Sequence, residues 1–132
     1  MRNFDVNKYM EEGKLAYVDE VNGYKFIVLG SDKATFEEAY LSDAQLEWLG
    51  ARLEQYKDKT VFFFFHTFMD EQVGDASSAN NEYGLPMISS TVEYKKFTEY
   101  FTKYTNVVYF SGHSHWAFDS QLVTPKPGKT NY

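Results

Sequence analysis

Residues 107–115 have the sequence VVYFSGHSH, which joins a short apolar run to a glycine and two histidines. The apolar residues of Val107–Phe110 predict a buried strand. Side chains at i and i+2 on an extended backbone point to the same side, so His113 and His115 would present their imidazoles together. Neutral imidazole is the commonest metal ligand among protein side chains. The segment therefore predicts a metal site at the end of a buried strand.

A third histidine supports this interpretation. His66 directly follows the apolar run Val61–Phe65, so each of the three histidines in the chain stands at or just beyond the end of a predicted strand. The alternative is a set of structural histidines that hydrogen-bond to carboxylates, and the pattern alone leaves that alternative open. We expect His66, His113 and His115 to bind a metal ion.

The composition is that of a single acidic domain. The chain has 132 residues, of which 43% are hydrophobic and 19% aromatic, enough to form a single core. Thirteen basic and nineteen acidic residues give a net charge of −6, and the basic residues are scattered, which argues against a nucleic-acid patch. The absence of cysteine excludes disulfides and cysteine-based zinc sites. No apolar run reaches membrane-spanning length, the first residues are not expected to act as a signal peptide, and the compartment stays undetermined.

A hairpin is predicted at the beginning of the domain. The strands Leu15–Asp19 and Tyr24–Leu29 flank Asn22-Gly23, and Asn-Gly between apolar runs is the strongest short signal for a tight turn. Apolar residues fall on both faces of Tyr24–Leu29, and Thr60–Phe65 shows no polar alternation. Both segments therefore predict strands that are buried on both faces of a sheet.

Two amphipathic helices are predicted between the later strands. The first begins at a capping box formed by Ser42 and Gln45. The second covers residues 92–104. We interpret the apolar stripe of each helix as core packing; the stripes comprise Leu46, Leu49, Leu53 and Tyr56 in the first helix and Tyr94, Phe97, Phe101 and Tyr104 in the second.

The predicted order is hairpin, helix, strand, helix, strand, followed by a last strand at Trp116–Val123. Strands that are separated by helices are expected to be parallel neighbours. Ligands bind beyond the carboxyl ends of such strands, where His66 and residues 112–115 both fall. The long segment 67–90 between them is expected to be a binding loop.

Four stretches taken together resemble the calcineurin-like metallophosphoesterases. They are residues 23–31 (GYKFIVLGS), residues 41–49 (LSDAQLEWL), the strand that ends at His66, and residues 112–115 (GHSH). The resemblance covers most of residues 15–120. It implies an α/β fold with a four-layer αββα sandwich, and hydrolysis of phosphate mono- or diesters by a dinuclear metal centre.

The resemblance is confined to the second half of that family's domain. The family's Asp-x-His, Gly-Asp and Gly-Asn-His motifs should precede the first histidine, but the one Gly-Asp pair here, Gly74-Asp75, follows His66. Residues 1–132 are therefore expected to form a single, incomplete domain, the C-terminal half of the sandwich. Its partner would be the missing N-terminal half or a self-associating copy.

The resemblance also assigns roles to the histidines. His66 and His113 resemble the pair that binds one metal, and His115 resembles a ligand of the other. The expected cofactors are divalent Mn, Fe or Zn. Three carboxylates match no family ligand and are interpreted as solvated or capping groups: Asp32, Asp70 and Asp119.

Three functions are compatible with these observations. The first is the C-terminal part of a metal-dependent phosphoesterase, which would have little or no activity as this isolated chain because the carboxylate ligands are missing. The second is a non-catalytic remnant of that fold that binds a metal or a protein. The third is a binding module in which the histidines are structural.

Overall fold

An initial hairpin is followed by two helices that alternate with two further strands. The computed structural model describes residues 16–32, 39–67 and 92–112. The elements are β1 (Ala16–Val21), β2 (Tyr24–Leu29), α1 (Asp43–Gln55), β3 (Val61–Phe65), α2 (Val92–Lys103) and β4 (Val107–Phe110). The predicted elements from the hairpin to β4 are confirmed, with small shifts at their ends. The predicted strand Trp116–Val123 lies outside the described residues.

The strands form one mixed sheet in the order β1-β2-β3-β4. β1 is antiparallel to β2, whereas β2 and β3, and β3 and β4, are parallel. Each parallel pair is joined through a helix, as the strand–helix–strand order predicts. The carboxyl ends of β2, β3 and β4 therefore lie along the same edge of the sheet.

The turn between β1 and β2 has the backbone conformation that the Asn-Gly pair predicts. The φ angles are 52° at Asn22 and 86° at Gly23. Positive φ at both central positions defines a type I′ turn, whose twist matches that of the flanking strands. Val21 pairs with Tyr24 directly beside the turn. β1 thus continues beyond its predicted end until it reaches the turn.

The first turn of α1 is capped, but only half of the predicted capping box forms. The Ser42 hydroxyl accepts a hydrogen bond from the Gln45 backbone N–H at 3.3 Å. The Gln45 side chain does not reach back to Ser42; its Nε2 donates to the Gly30 carbonyl oxygen at 2.7 Å. The Ser42 backbone N–H donates instead to the Asp32 carboxylate at 2.7 Å. The chain before α1 therefore supplies the acceptor that Gln45 was expected to provide.

Both helices pack on one face of the sheet, and the core lies between the helices and the sheet. Leu49 of α1 and Phe97 of α2 are completely buried together with Ile27 and Phe63 of the sheet. The predicted apolar stripes are confirmed as core, although Tyr56 is only half-buried. Neither α1 nor α2 is long and apolar enough to span a bilayer.

The opposite face of the sheet carries apolar side chains that the described helices do not cover. We call this surface the open face; it comprises Tyr24, Phe26, Val28, Phe62, Phe64, Val108 and Phe110. Tyr24 is 52% exposed and Phe110 45% exposed, and the others are half-buried. The prediction that β2 and β3 are buried on both faces is confirmed for the helix face, while the side chains on the open face are half-buried or exposed. Their second faces are apolar, but no described layer packs against them.

Candidate metal-binding site

The carboxyl ends of β3 and β4 meet at His66 and Gly112. The last paired residues of the two strands are Phe64 and Phe110. Two residues further along each chain, the Gly112 backbone N–H donates to the His66 carbonyl oxygen at 3.0 Å. His66 therefore lies beside the backbone that leads directly to His113 and His115.

The imidazole of His66 packs over Gly112. A Cβ atom built on Gly112 would lie 3.2 Å from His66 Nδ1 and 3.5 Å from its Cε1. His66 is an exposed residue, so it lies at the surface of the domain. A side chain at residue 112 would therefore crowd the space that the His66 ring occupies.

Contacts on both faces of the sheet hold these strand ends together. On the helix face, the buried Tyr109 hydroxyl donates to the Thr67 carbonyl oxygen at 2.6 Å. On the open face, the rings of Phe64 and Phe110 stack with centroids 4.8 Å apart and an interplanar angle of 7°. These contacts immediately flank His66 and Gly112, so the position of His66 is set by packed neighbours rather than by a free loop.

The other two predicted ligands, His113 and His115, lie outside the described residues, and so does most of the predicted binding loop 67–90. Within residues 16–32, 39–67 and 92–112, no group of three metal-binding side chains comes together. Of the predicted site, the described residues therefore include one ligand, His66, and Gly112, the residue that precedes His113. The three-histidine site stays a prediction.

The carboxyl end of β2, on the same edge, is occupied by capping contacts. Asp32 accepts the Ser42 N–H, and the Asp32 N–H donates to the Tyr40 carbonyl oxygen at 2.8 Å. This confirms the interpretation of Asp32 as a capping carboxylate. The other two carboxylates interpreted in this way, Asp70 and Asp119, lie outside the described residues.

A buried amide near this edge has an unused acceptor. Gln45 is 1% exposed, and its Nε2 is engaged by the Gly30 carbonyl oxygen. Its Oε1 has no hydrogen-bond partner within the described part of the chain. The burial of Gln45 was not predicted, because its expected role in the capping box concerned only the N-terminus of the helix.

A second polar cluster lies at the opposite end of the sheet and was not predicted. We call it the Glu54 cluster; it comprises Glu54, Lys57, Lys103 and Tyr104. Lys57 Nζ lies 2.7 Å from Glu54 Oε1, the Tyr104 hydroxyl donates to Glu54 Oε2 at 2.6 Å, and Lys103 Nζ lies 3.2 Å from the same oxygen. The hydrogen bond from Lys57, followed by those from Tyr104 and Lys103, lowers the pKa of Glu54 to about 2.

The Glu54 cluster joins the end of α1 to the end of α2. Lys103 and Tyr104 are 49 and 50 positions from Glu54, so no local pattern could have predicted that they meet it. Both carboxylate oxygens of Glu54 already accept hydrogen bonds from this chain. The cluster also lies where the parallel strands begin rather than where they end. We interpret it as a structural link between the helices, not as a ligand site.

Comparisons with known proteins add no relative. No family model matches the chain, and neither a curated protein nor a solved structure is significantly similar to it. The class of protein that the described residues define is therefore a mixed α/β domain with a four-stranded sheet covered on one face by two helices. The resemblance to metallophosphoesterases rests on the quoted motifs alone.

Proposed function

We propose that this chain is the C-terminal part of a metal-dependent phosphoesterase that hydrolyses phosphate mono- or diesters. The observation that carries the proposal is the contact between His66 and Gly112 at the carboxyl ends of two parallel strands. This contact puts His66 next to the segment that continues into His113 and His115. In sheets of this kind, ligands bind beyond these strand ends.

The donor set suits a divalent cation. Three neutral imidazoles are a common ligand set for a Zn²⁺-like ion, and Mn and Fe accept imidazole as well. The absence of a side chain at Gly112 leaves room for the His66 ring, and His66 lies at the surface beside the segment that leads to the other two histidines. When bound in the complete site, a pair of such cations would polarise the phosphate ester and supply a hydrolytic nucleophile at neutral pH.

We further propose that the complete domain is a four-layer αββα sandwich, with the open face packed against a second sheet. The rings of this face form a continuous row: the ring centroid of Phe62 lies 5.2 Å from that of Phe26 and 6.3 Å from that of Phe110. Parallel sheets are normally covered on both faces, and two sheets pack through such apolar faces at about 10 Å. By the alternation of β3, His66 follows Phe62 and Phe64, at the end of this face.

The layer that covers the open face would also complete the site. Phosphoesterase centres of this kind need carboxylate ligands between their two cations, and three neutral imidazoles leave the positive charge uncompensated. We therefore expect the isolated chain to hold at most one ion. It should have little or no activity until the missing N-terminal half supplies the carboxylates.

Metal content is the first test of this proposal. The purified 132-residue chain is expected to bind a stoichiometric Zn²⁺ or Mn²⁺ ion, measured by elemental analysis after dialysis. His66→Ala, His113→Ala and His115→Ala should each lower the bound metal. Glu99→Gln, which changes an exposed carboxylate of α2, serves as the control and should leave it unchanged. Metal content that is the same in all four variants would count against the site.

Hydrolysis is the second test. With a generic aryl phosphate and added Mn²⁺ or Zn²⁺, the isolated chain should show no turnover above the metal-only control. The same chain preceded by a segment that contains the Asp-x-His, Gly-Asp and Gly-Asn-His motifs should gain activity, and this gain should be lost in His113→Ala. Robust turnover by the isolated chain would contradict the proposal that the catalytic site is incomplete.

The open face also favours a second candidate, a non-catalytic remnant that binds a metal or a protein. Its apolar residues include two large, half-exposed rings, Tyr24 and Phe110. An apolar sheet face of this kind is a surface for a partner protein or for a second copy of the chain. The two candidates differ in outcome, because only the phosphoesterase gains activity when the carboxylate motifs are supplied.

A further inference from the structure

Gly112 lies against the His66 ring, so a side chain at residue 112 would crowd the imidazole. The built Cβ position lies 3.2 Å from His66 Nδ1 and 3.8 Å from the His66 carbonyl oxygen. Optimal contact distances between non-bonded carbon atoms are about 3.5–4.0 Å. A methyl group at residue 112 would therefore press on the imidazole ring, and the ring is the part of this contact that can move.

Backbone conformation does not require a glycine at this position. Among the glycines that the structure describes, Gly23 has a positive φ and Gly112 does not. An alanine can adopt the backbone of Gly112 without entering the left-handed region. The space beside the ring is therefore the property that an alanine would remove, which makes the substitution an informative one.

We propose that Gly112 is a positioning residue for His66, which keeps the imidazole where it can reach a divalent cation. This inference rests on the proposed function. The Gly112 N–H···O=C bond to His66 at 3.0 Å sets the distance between the two backbones, and the missing side chain leaves the space for the ring. Metal–ligand distances tolerate deviations of only about 0.2 Å, so even a small displacement of the ring weakens binding.

The test uses the full 132-residue chain and compares Gly112→Ala with Ser111→Ala. Ser111 is the neighbouring exposed residue, so its substitution changes the same segment without adding an atom beside the ring. Gly112→Ala should weaken Zn²⁺ binding about tenfold, the size of effect that altered ligand orientation produces. It should also change the visible spectrum of bound Co²⁺. Ser111→Ala should do neither, and equal affinity with an unchanged spectrum in Gly112→Ala would overturn the proposal.

A metal-free measurement separates this inference from the proposed function. In the NMR spectrum of the apo chain, the Gly112 Hα protons should show a nuclear Overhauser effect to His66 Hε1. Gly112→Ala should shift the His66 Hε1 resonance, while Ser111→Ala should not. If these results hold but the wild-type chain binds no Zn²⁺ or Co²⁺, the positioning of the ring stands and the proposed function fails. Absence of the effect in the wild-type chain overturns the inference without any need for a folded variant.

Discussion

Phe63 lies at the centre of the aromatic core. It is fully buried, and its ring centroid lies 4.9 Å from that of Tyr109, 5.0 Å from Phe101 and 6.1 Å from Phe97. Phe63→Ala is expected to lower the free energy of unfolding by about 3–5 kcal/mol, because it removes a large buried side chain and leaves a cavity. Urea denaturation followed by circular dichroism measures this loss.

The neighbouring Phe62 provides a matched control. It has the same side chain on the same strand, but it points to the open face and is only half-buried. Phe62→Ala should therefore cost clearly less than Phe63→Ala in the isolated chain. Equal losses would mean that the open face is covered as completely as the helix face.

Glu54 makes the stability of the domain depend on pH in a defined range. Its carboxyl pKa is lowered from 4.5 to about 2 in the folded chain, first by the hydrogen bond from Lys57 and then by those from Tyr104 and Lys103. Because the pKa is lowered on folding, the ionised Glu54 carboxylate stabilises the folded chain above pH 4.5, and this contribution is lost as the pH falls towards 2. The stability difference between the wild-type chain and Glu54→Gln should therefore shrink over this interval, as measured by urea denaturation at several pH values.

The control for the pH experiment is Glu99→Gln, which removes an exposed carboxylate from α2. Its stability relative to the wild-type chain should change little over the same interval. Because Glu54 is itself at the surface, high salt should reduce its contribution. A stability difference for Glu54→Gln that stayed constant from pH 5 to pH 2 would contradict the assignment.

At the scale of the elements, the contact between α1 and α2 depends on a glycine. A Cβ built on Gly50 would lie 2.6 Å from the Tyr100 hydroxyl oxygen and 2.8 Å from its Cζ. Tyr100 is half-buried beside the core, and burial raises the pKa of its hydroxyl. The Tyr100 side chain of α2 thus fills the space beside Gly50 of α1.

This contact should reverse the usual effect of a glycine-to-alanine substitution in a helix. Helix propensity alone favours alanine by about 0.8–1.0 kcal/mol. In the wild-type chain, overpacking against Tyr100 should instead make Gly50→Ala destabilising by roughly 1 kcal/mol or more. In a Tyr100→Ala background the same substitution should stabilise the chain. A double-mutant cycle by urea denaturation measures the coupling, and identical effects in both backgrounds would exclude the contact.

The hairpin turn offers a second test at this scale. Gly23 has a φ of 86°, which alanine adopts only with strain. No atom lies within 4 Å of a Cβ built there, so any loss arises from the backbone and not from a clash. Gly23→Ala is expected to destabilise the chain by about 1–2 kcal/mol. Asn22→Gly, which retains a residue suited to positive φ, should be close to neutral by the same thermal or urea measurement.

At the scale of the whole molecule, the open face should make the isolated chain associate. Its exposed rings are contiguous with half-buried ones, and contiguous apolar surface is typical of interaction sites. We expect a weight-average mass that rises with concentration in sedimentation experiments. Phe110→Lys should reduce this rise. The control is Val92→Lys, which replaces an exposed apolar residue at the start of α2 and should not reduce it. A strictly monomeric wild-type chain would argue against the open face as a docking surface.

The sequence predicted the local elements well because their signals are local. Asn22-Gly23 needs positive φ at both positions, and the apolar spacing of Leu46, Leu49 and Leu53 needs a helix with one buried side. The order of the elements then implied parallel strands, and the parallel pairing of β2 with β3 and of β3 with β4 confirms it. The site was partly predictable for the same reason, because a strand that ends in His66 must release that residue at the carboxyl edge.

Only the tertiary structure decided which faces are covered and which distant residues meet. Apolar residues on both faces of β2 and β3 indicated that both faces could be buried. Whether a second layer lies there depends on what else packs on the sheet, and the described layers cover only one face. The Glu54 cluster and the pair Gly50–Tyr100 join residues about 50 positions apart, which no periodicity records. The contact of Gly112 with His66 likewise arises from the pairing of β3 with β4. The sequence by itself thus determined the elements and their order, because these depend on neighbours along the chain, whereas packing between elements determined the contacts that hold His66 in place.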